Sequence, residues 1–355
     1  MLIFSWLWLS VVLTVFRCNK STSGGKVISS VELPDKREEF TVLRCVLLRK
    51  KTAGNVELNY RRYDDVQILC KFADIIFIKD LMKSKIIVPT DLTEAAGRAI
   101  KQAAAIAQKA KTDLTLLHVL NDKSPSSEET GKILSSETET IRSQTGVNCE
   151  ILIKPGNIFE VIPYVTCEHD YDLMVIGTHG IQGIKQMMFG ANILKLVSKI
   201  PIPVLVVQEN SPLIENFRKI ILPVSSHEAF GMAVESVLLF AGIYDPEVHL
   251  YSIHKAGFDW PEQLLNNLEE AGRQFEKNKV KMIRVKEDQN VYSLGYAKQT
   301  LNYAHSEGAD LICMMSLPSK EYYYFAQSDK ETMLLNDYHL PILCSGGAKS
   351  SDKCK

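Results

Sequence analysis

Short apolar runs alternate with longer polar or amphipathic stretches from residue 85 onward. The runs are typical of strands buried on both faces, and the longer stretches are typical of helices. In the first half we predict strands at 85–91, 114–120, 149–153, 172–176 and 204–207. We predict helices at 93–110, 127–145 and 157–169, and a short helix that begins near Asn192. Strands that alternate with helices in this way predict an α/β fold, with a parallel sheet covered by helices on both faces.

The second half of the chain repeats this pattern. At an offset of 134 or 138 residues, strand segments recur as follows: 85–91 as 219–225, 116–119 as 250–253, 172–177 as 310–315, and 203–206 as 341–344. Segments that recur at nearly one offset indicate a tandem repeat with a small insertion in the second copy. The predicted organisation is an N-terminal extension (1–81), a first domain (82–208), a linker (209–217), a second domain (218–346) and a flexible tail (347–355).

Glycine and small polar residues mark the predicted turn between the strand at 172–176 and the helix that follows it. Glycine permits positive φ and a close approach of the backbone to a ligand, and the start of a helix attracts anions. One interpretation is a phosphate-binding loop; the other is a long loop that uses glycine only for turns. His179 then either donates to phosphate or faces solvent, and Asn192 either donates to the ligand or caps the helix. The candidate residues are Gly177, His179, Gly180, Gly190, Ala191 and Asn192.

The first predicted strand ends in Pro89, Thr90 and Asp91. Parallel sheets bind ligands beyond the carboxyl ends of their strands, at the point where the strand order reverses. If the first and fourth strands are neighbours there, Asp91 and Gly177 face one crevice. The second strand ends in Leu-Leu-His-Val, in which we interpret His118 as a wall of this crevice rather than as a metal ligand.

These residues together resemble the universal stress protein family over about residues 82–208. The family's first strand ends in Pro-x-Asp, and its fourth strand is followed by Gly-x2-Gly-x9-Gly-Ser/Thr; this chain has both signatures in the same order, up to the last residue. The resemblance implies a five-stranded parallel sheet of order 3-2-1-4-5 sandwiched by helices, and the internal repeat predicts two such domains in tandem. It also implies bound ATP, as in many members, and leaves open whether Mg²⁺ accompanies the nucleotide.

The resemblance also implies roles for individual residues. Asp91 would contact the ribose, and Val119 would lie against the adenine. Backbone amides would reach the ribose and phosphates at the three glycines of the pattern, Gly177, Gly180 and Gly190. The chain departs from the pattern at Ala191, which has no hydroxyl to donate to a phosphate. One lost hydrogen bond costs about 0.5–1.5 kcal/mol, so we expect weaker binding rather than none.

The second copy has lost the residues that would form this site. Asp91 is matched by Ser225, Gly177 by Met315 and Gly180 by Pro318. A run of three tyrosines and a phenylalanine at 322–325 follows, which either fills the vacated crevice or forms a partner-binding or base-stacking patch. We therefore predict one nucleotide site per chain, in the first domain, and a structural or regulatory second domain.

The duplication predicts how the two domains meet. The strand at 204–207 would leave an apolar unpaired edge, and the strand at 342–344 can cover that edge within one molecule. We expect an intramolecular pseudo-dimer; two such chains can still associate into a homodimer.

Composition narrows the range of partners and locations. The net charge of −1 and the pI near 6.7 disfavour a nucleic-acid or anionic-membrane surface, so an adenine nucleotide and a protein of unknown identity are the expected partners. The eight cysteines contain no Cys-x2-Cys pair, and no histidine has metal-binding spacing. We interpret the cysteines as reduced residues of a cytoplasmic protein without a metal site.

The apolar run at 2–16 is shorter than the about 20 residues of a membrane-spanning helix, and it lacks the flanks of a secretory signal. Met82 followed by two lysines before the first strand reads as a cytoplasmic start. Residues 1–81 are then an upstream extension of the reading frame that is not part of the native protein. The alternative is a membrane anchor through residues 2–16.

Three functions fit the sequence. The first is a non-catalytic, ATP-binding module in stress response, in which the bound nucleotide shifts the relation of the two domains or recruits a protein. The second is a nucleotide-free scaffold. The third is a slow ATP hydrolase, although the sequence has no activated nucleophile and we assign no catalytic residue. Only the family resemblance supplies the role in stress.

Overall fold

The computed structural model describes residues 85–120, 125–178, 190–254, 259–288, 295–317 and 327–345. The predicted extension (1–81) and tail (347–355) lie outside these residues. Strands of the first domain are β1 Lys85–Pro89, β2 Leu114–Leu120, β3 Cys149–Pro155, β4 Tyr171–Thr178 and β5 Val204–Gln208. Its helices are α1 Glu94–Ala110, α2 Ser127–Thr145, α3 Ile158–Glu168 and α4 Gly190–Val197.

The second domain repeats these elements. Its strands are β6 Lys219–Pro223, β7 Glu247–His254, β8 Lys281–Asp288, β9 Leu311–Met315 and β10 Ile342–Ser345. Its helices are α5 Gly231–Tyr244, α6 Glu262–Lys277, α7 Gly295–Ser306 and α8 Gln327–Leu334.

All of these strands belong to one sheet, in the order β3-β2-β1-β4-β5-β10-β9-β6-β7-β8. The first domain therefore has the predicted order 3-2-1-4-5, and its strands run parallel. The second domain has the same internal order. Because the chain changes direction across the sheet after β3, right-handed crossovers place α1 and α2 on one face and α3 and α4 on the other.

The two domains meet at their last strands. β5 and β10 pair antiparallel, with Val206 opposite Ile342, Leu205 opposite Leu343 and Val204 opposite Cys344. The expected pairing of 204–207 with 342–344 is thus present, and both strands are buried. The outer edges of the sheet, β3 and β8, carry many more exposed side chains. Charged residues at an outer edge disfavour further strand pairing.

Helix α1 forms where the sequence predicts it, and its ends show why. Thr93 is the N-cap, and its Oγ1 accepts a hydrogen bond from the backbone N–H of Ala96 at 3.3 Å. Lys111 ends the helix in the left-handed conformation, and its N–H bonds to the Ala107 carbonyl. The buried face is rich in alanine, which lets α1 lie close to β4 and β5.

The linker 209–217 is held along α1. Gln102 is fully buried; its Oε1 accepts from the Ile214 N–H at 2.9 Å and its Nε2 donates to the Ile214 carbonyl at 2.8 Å. Arg98 Nε donates to the Glu209 carbonyl at 3.2 Å. At the far end of the linker, Phe217 packs edge-on against Phe240 of the second domain. The helix that begins at the candidate site is therefore tied to the segment that joins the domains.

Several predicted boundaries shift. β1 ends at Pro89 rather than at 91, while β4 continues to Thr178 because Thr178 pairs with Gln208 of β5. β3 continues to Pro155, opposite Leu120. The short fourth helix begins at Gly190 rather than near Asn192.

The four cysteines among the described residues are of two kinds. Cys149, Cys313 and Cys344 are free thiols, whereas Cys167 is disulfide-bonded. The prediction that all cysteines are reduced is therefore wrong at Cys167. Pairing depends on which Cβ atoms the fold brings within about 4 Å, and chain spacing does not report that distance.

Within the part of the chain that the structure describes, no helix is both long enough and apolar enough to cross a membrane. The apolar run at 2–16 lies outside that part.

Candidate functional site

The candidate site lies at the point where the strand order of the first domain reverses. β1 lies between β2 and β4, and its Ile87 is paired with Met174 of β4. Thr90 follows Ile87 by three residues, and Gly177 follows Met174 by three residues. The ends of β1 and β4 therefore reach the same edge of the sheet. The two strands are therefore neighbours, as the predicted crevice requires.

The loop after β1 is a tight turn built around Asp91. Its Oδ1 accepts hydrogen bonds from the Thr93 backbone N–H at 3.1 Å and from Thr93 Oγ1 at 2.6 Å. Leu92, between them, has a φ of 66°, in the left-handed region that a branched side chain rarely adopts. Asp91 itself is exposed. The turn thus uses one carboxylate oxygen and presents the side chain to solvent at the crevice.

A buried histidine holds the residue before Asp91. His118, on β2, is 3% exposed, and its Nδ1 lies 2.8 Å from the Thr90 carbonyl oxygen. Because a carbonyl oxygen only accepts, Nδ1 carries the proton in this contact. The Thr90 N–H donates to the Leu117 carbonyl at 2.8 Å. Both backbone groups of Thr90 are thus bound to β2, and His118 is a supporting residue rather than a wall of the crevice.

Gly177 lies inside β4, paired with Val207, and not in the loop after the strand. A Cβ at this position would lie 2.1 Å from the Ala95 carbonyl oxygen and 2.9 Å from the Ala96 nitrogen. Real Cβ atoms do not approach backbone atoms so closely, so only glycine lets the first turn of α1 sit against β4. This packing accounts for Gly177 without a ligand.

The remaining predicted residues lie around the same edge or outside the described part. Val119 is 7% exposed and lies near the carboxyl end of β2. α4 begins at Gly190, with Ala191 exposed and Asn192 half-buried. His179 and Gly180 lie outside the described residues. The structure therefore gathers Pro89, Thr90, Asp91, Val119 and Gly177 at the carboxyl ends of β1, β2 and β4.

The second domain keeps the turn but not the charge. The Val224 N–H donates to the Tyr251 carbonyl at 2.8 Å, the counterpart of Thr90 and Leu117. Ser225 Oγ, in place of Asp91, accepts from the His227 N–H at 3.3 Å. Asp91 and Ser225 therefore accept the equivalent hydrogen bond of the turn, but only Asp91 adds a carboxylate to the crevice.

A side chain that sequence reasoning missed ties the loop after β6 to helix α6. Asn267 of α6 is 9% exposed, and its Nδ2 donates to the carbonyls of Ser225 at 2.7 Å and of His227 at 3.0 Å. The repeat offset of 134 matches Asn267 with Ile133 of α2, which is 44% exposed and has no polar group to bridge the first crevice. A position-by-position comparison of the two copies would have shown this difference in the sequence.

A tryptophan covers the end of β7 in the second domain. Trp260 Nε1 donates to the Ile253 carbonyl at 3.3 Å, and Ile253 is the repeat counterpart of Val119. The Lys286 ammonium lies 4.9 Å from the centre of the indole ring. The position expected to contact a base in the first domain is thus already beside an aromatic ring in the second.

Metal binding has no prepared site in the described residues. They contain no group of three or more His, Cys, Asp or Glu side chains that could hold an ion.

Comparison with known proteins agrees with this architecture. Residues 82–208 match the model of the universal stress protein family. No curated protein matches the chain at the sequence level. A universal stress protein from Archaeoglobus fulgidus is 15% identical, with 74% of this chain and 98% of that chain aligned at a TM-score of 0.60. A functionally unknown protein from Pseudomonas aeruginosa PAO1 is 15% identical, with 78% and 96% aligned at a TM-score of 0.52.

A universal stress protein solved in complex with cAMP is 19% identical, with 36% of this chain and 99% of that chain aligned at a TM-score of 0.30. At these identities the two longer alignments show a shared fold and nothing about ligands. The match over residues 82–208, together with the strand order of that segment, makes the first domain similar to the universal stress protein family.

Proposed function

We propose that this chain is a non-catalytic nucleotide-binding protein of the stress response, which binds one ATP in the crevice of its first domain. The observation that carries the proposal is the difference between the two crevices. In the first, His118 holds the loop after β1 from within the sheet, and Asp91 presents a carboxylate. In the second, Asn267 donates to two carbonyls of the loop, and Ser225 replaces the residue that carries the carboxylate. Among the described residues, the loop after the first strand therefore carries a carboxylate for a ligand in the first domain and none at the matching position of the second.

The residues present fit an adenine nucleotide in part. A carboxylate at the switch point of a parallel sheet accepts hydrogen bonds from ribose hydroxyls, which suits Asp91. Val119 offers apolar surface to a base. The amino end of α4 offers backbone N–H groups to phosphates, but Ala191 adds no hydroxyl there. We therefore expect affinity in the micromolar range or weaker rather than nanomolar.

Mg²⁺ would enter with the nucleotide. It keeps several waters and is usually bound through one or two carboxylates together with phosphate oxygens. Asp91 is the carboxylate of the loop after β1, and the described residues hold no preformed ion site. Metal binding without nucleotide is not expected.

Calorimetric titration of the full chain with ATP and Mg²⁺ tests the proposal. The expected result is saturable binding with one site per chain, no release of ADP or AMP, and loss of binding in Asp91→Ala. The matched variant Ser225→Ala, which alters the same turn in the second domain, should bind ATP as the unmodified chain does. Absence of binding at millimolar ATP contradicts the proposal, and steady ADP release contradicts its non-catalytic part.

A scaffold that binds a protein partner without nucleotide is the second candidate, and Ala191 favours it. A chain that binds no ATP yet retains its fold would support this alternative. In that case the two domains would serve as a rigid platform, with β5 and β10 at its centre.

We place the protein in the cytoplasm. The free thiols Cys149, Cys313 and Cys344 fit a reducing compartment, whereas the disulfide at Cys167 does not. Fractionation of the native host, combined with alkylation of Cys167 before and after reduction, tests the location. A Cys167 disulfide that persists in the purified native protein contradicts it.

A further inference from the structure

The two domains anchor corresponding loops with different donors. In the first domain the donor is His118, which comes from the neighbouring strand β2 and binds the carbonyl of Thr90. In the second domain the donor is Asn267, which comes from helix α6 and binds the carbonyls of Ser225 and His227. Each loop follows the first strand of its domain, so each needs a donor for carbonyls that lie beyond the sheet ladder.

The second domain has a serine at the repeat position of His118. Ser252 lies 134 residues after His118 and is 2% exposed, and its hydroxyl has no hydrogen-bond partner among the described residues. A serine is too short to replace the imidazole, and Asn267 binds the loop of the second domain through other carbonyls, at the positions that match Asp91 and Thr93. The first domain uses a donor that comes from within the sheet.

The anchored residue is directly joined to the charged one. Thr90 is 6% exposed, and its two backbone groups bind His118 and Leu117. Its Oγ1 accepts from the Leu92 N–H at 3.2 Å, within a turn that holds Leu92 at positive φ. Without a donor to the Thr90 carbonyl, the turn would lose a fixed point one residue before Asp91. The direction of the Asp91 carboxylate depends on that point.

We propose that His118 is a positioning residue for nucleotide binding, which acts through Thr90 to hold the Asp91 carboxylate toward the ligand. His118 is buried in this structure, so it would act on the loop without contacting the nucleotide itself. The inference rests on the proposed function, since it requires that the first crevice bind ATP.

Substitution at position 118 tests the inference in the full chain. His118→Leu removes the donor and keeps an apolar side chain of similar bulk. His118→Asn keeps a donor, because the asparagine Nδ2 stands at the same number of bonds from Cβ as the histidine Nδ1. Calorimetry with ATP and Mg²⁺ should show a dissociation constant about 2- to 12-fold weaker in His118→Leu, the range that one hydrogen bond accounts for, and substantial recovery in His118→Asn.

A control separates positioning from general loss of stability. Asn267→Leu removes the corresponding donor in the second domain and should lower the midpoint of thermal unfolding, as His118→Leu does. It should leave the dissociation constant for ATP unchanged. Weaker binding confined to the His118→Leu variant supports positioning, whereas weaker binding in both variants means that affinity follows stability, and it overturns the inference.

The remaining outcomes are also decisive. If the unmodified chain binds ATP and His118→Leu binds it equally well, the inference fails and the proposed function stands. If His118→Asn binds as weakly as His118→Leu, a donor at this place is not what matters, and the inference fails. If the unmodified chain binds no ATP, the proposed function and the inference fail together.

Discussion

Gly177 and Ala95 approach each other so closely that a Cβ on Gly177 would lie 2.1 Å from the Ala95 carbonyl oxygen. They are neither neighbours in sequence nor paired in the sheet: Gly177 lies near the end of β4, and Ala95 lies in the first turn of the helix packed on that strand. The contact fixes the amino end of α1, and with it the Asp91 turn, against β4. A glycine that sequence patterns associate with a ligand therefore has a packing role that does not need one.

Gly177→Ala should destabilise the protein by about 3 kcal/mol, since an added Cβ meets backbone atoms that cannot rotate away. Urea denaturation measures the change. Gly97→Ala, in the helix α1 that packs on Gly177, is the matched control: nothing lies within 4 Å of the added Cβ, and alanine should stabilise the helix by about 0.5–1 kcal/mol. An unchanged midpoint in Gly177→Ala would mean that α1 moves away from β4 easily.

Asp91→Ser should separate the role of Asp91 in the turn from its proposed role in binding ATP. Ser225 shows that a serine hydroxyl can accept the hydrogen bond of this turn. We therefore expect stability within about 0.5 kcal/mol of the unmodified chain and ATP affinity reduced about tenfold or more, because a hydrogen bond to a charged group contributes about 1.5–3 kcal/mol. Thermal denaturation and calorimetry measure the two effects. Full ATP affinity in this variant would leave Asp91 with the turn as its only role.

Gln102→Leu should loosen the linker from α1. It would leave the N–H and carbonyl of Ile214 without their buried partner, at a cost of about 2–4 kcal/mol in the free energy of unfolding. The control is Gln108→Leu on the same helix, where an exposed Nε2 donates to the Thr145 carbonyl at 3.0 Å. That change should cost less than about 0.5 kcal/mol. Equal effects of the two substitutions would contradict the role given to Gln102.

Stability should decline as the pH rises above about 9. Burial raises the pKa of the Cys344 thiol from 9.0 to about 12, and it raises the pKa of Cys313 well above 9.0. At a pH between these values the folded protein keeps the proton that the unfolded chain has lost. The unfolded state therefore binds fewer protons, and the free energy of unfolding falls by about 1.4 kcal/mol per pH unit for Cys344.

Denaturant unfolding between about pH 8 and 11 measures this slope. The Cys344→Ala variant should be less stable at every pH because it leaves a cavity, but its stability should fall less steeply with pH. Parallel curves for the two proteins would show that the Cys344 thiol does not contribute to the alkaline loss.

Local sequence signals predicted the features that depend on neighbouring residues. The apolar runs placed the strands, Thr93 marked the start of α1, and the repeat offset indicated that 342–344 pairs with 204–207. Once β1 and β4 are neighbours, the meeting of Asp91 and Gly177 at one edge follows from the parallel order.

Contacts between distant segments could not be predicted in the same way. The packing of Ala95 on Gly177 joins residues far apart in sequence, and glycine patterns give no sign of which backbone lies opposite. Asn267 reaches Ser225 across 42 positions, from a helix whose orientation no local pattern reports. The disulfide at Cys167 likewise depends on the folded arrangement.

Photoaffinity labelling of the full chain with 8-azido-ATP, followed by mapping of the labelled peptides, tests the central claim most directly. A single adenine-nucleotide site in the first domain predicts label on peptides from residues 85–208 only, and ATP should compete it away. Label on peptides from residues 219–345 that ATP competes away would contradict the account, because it would place a nucleotide in the second domain, where Ser225 replaces Asp91 and Trp260 binds the carbonyl of the residue that matches Val119.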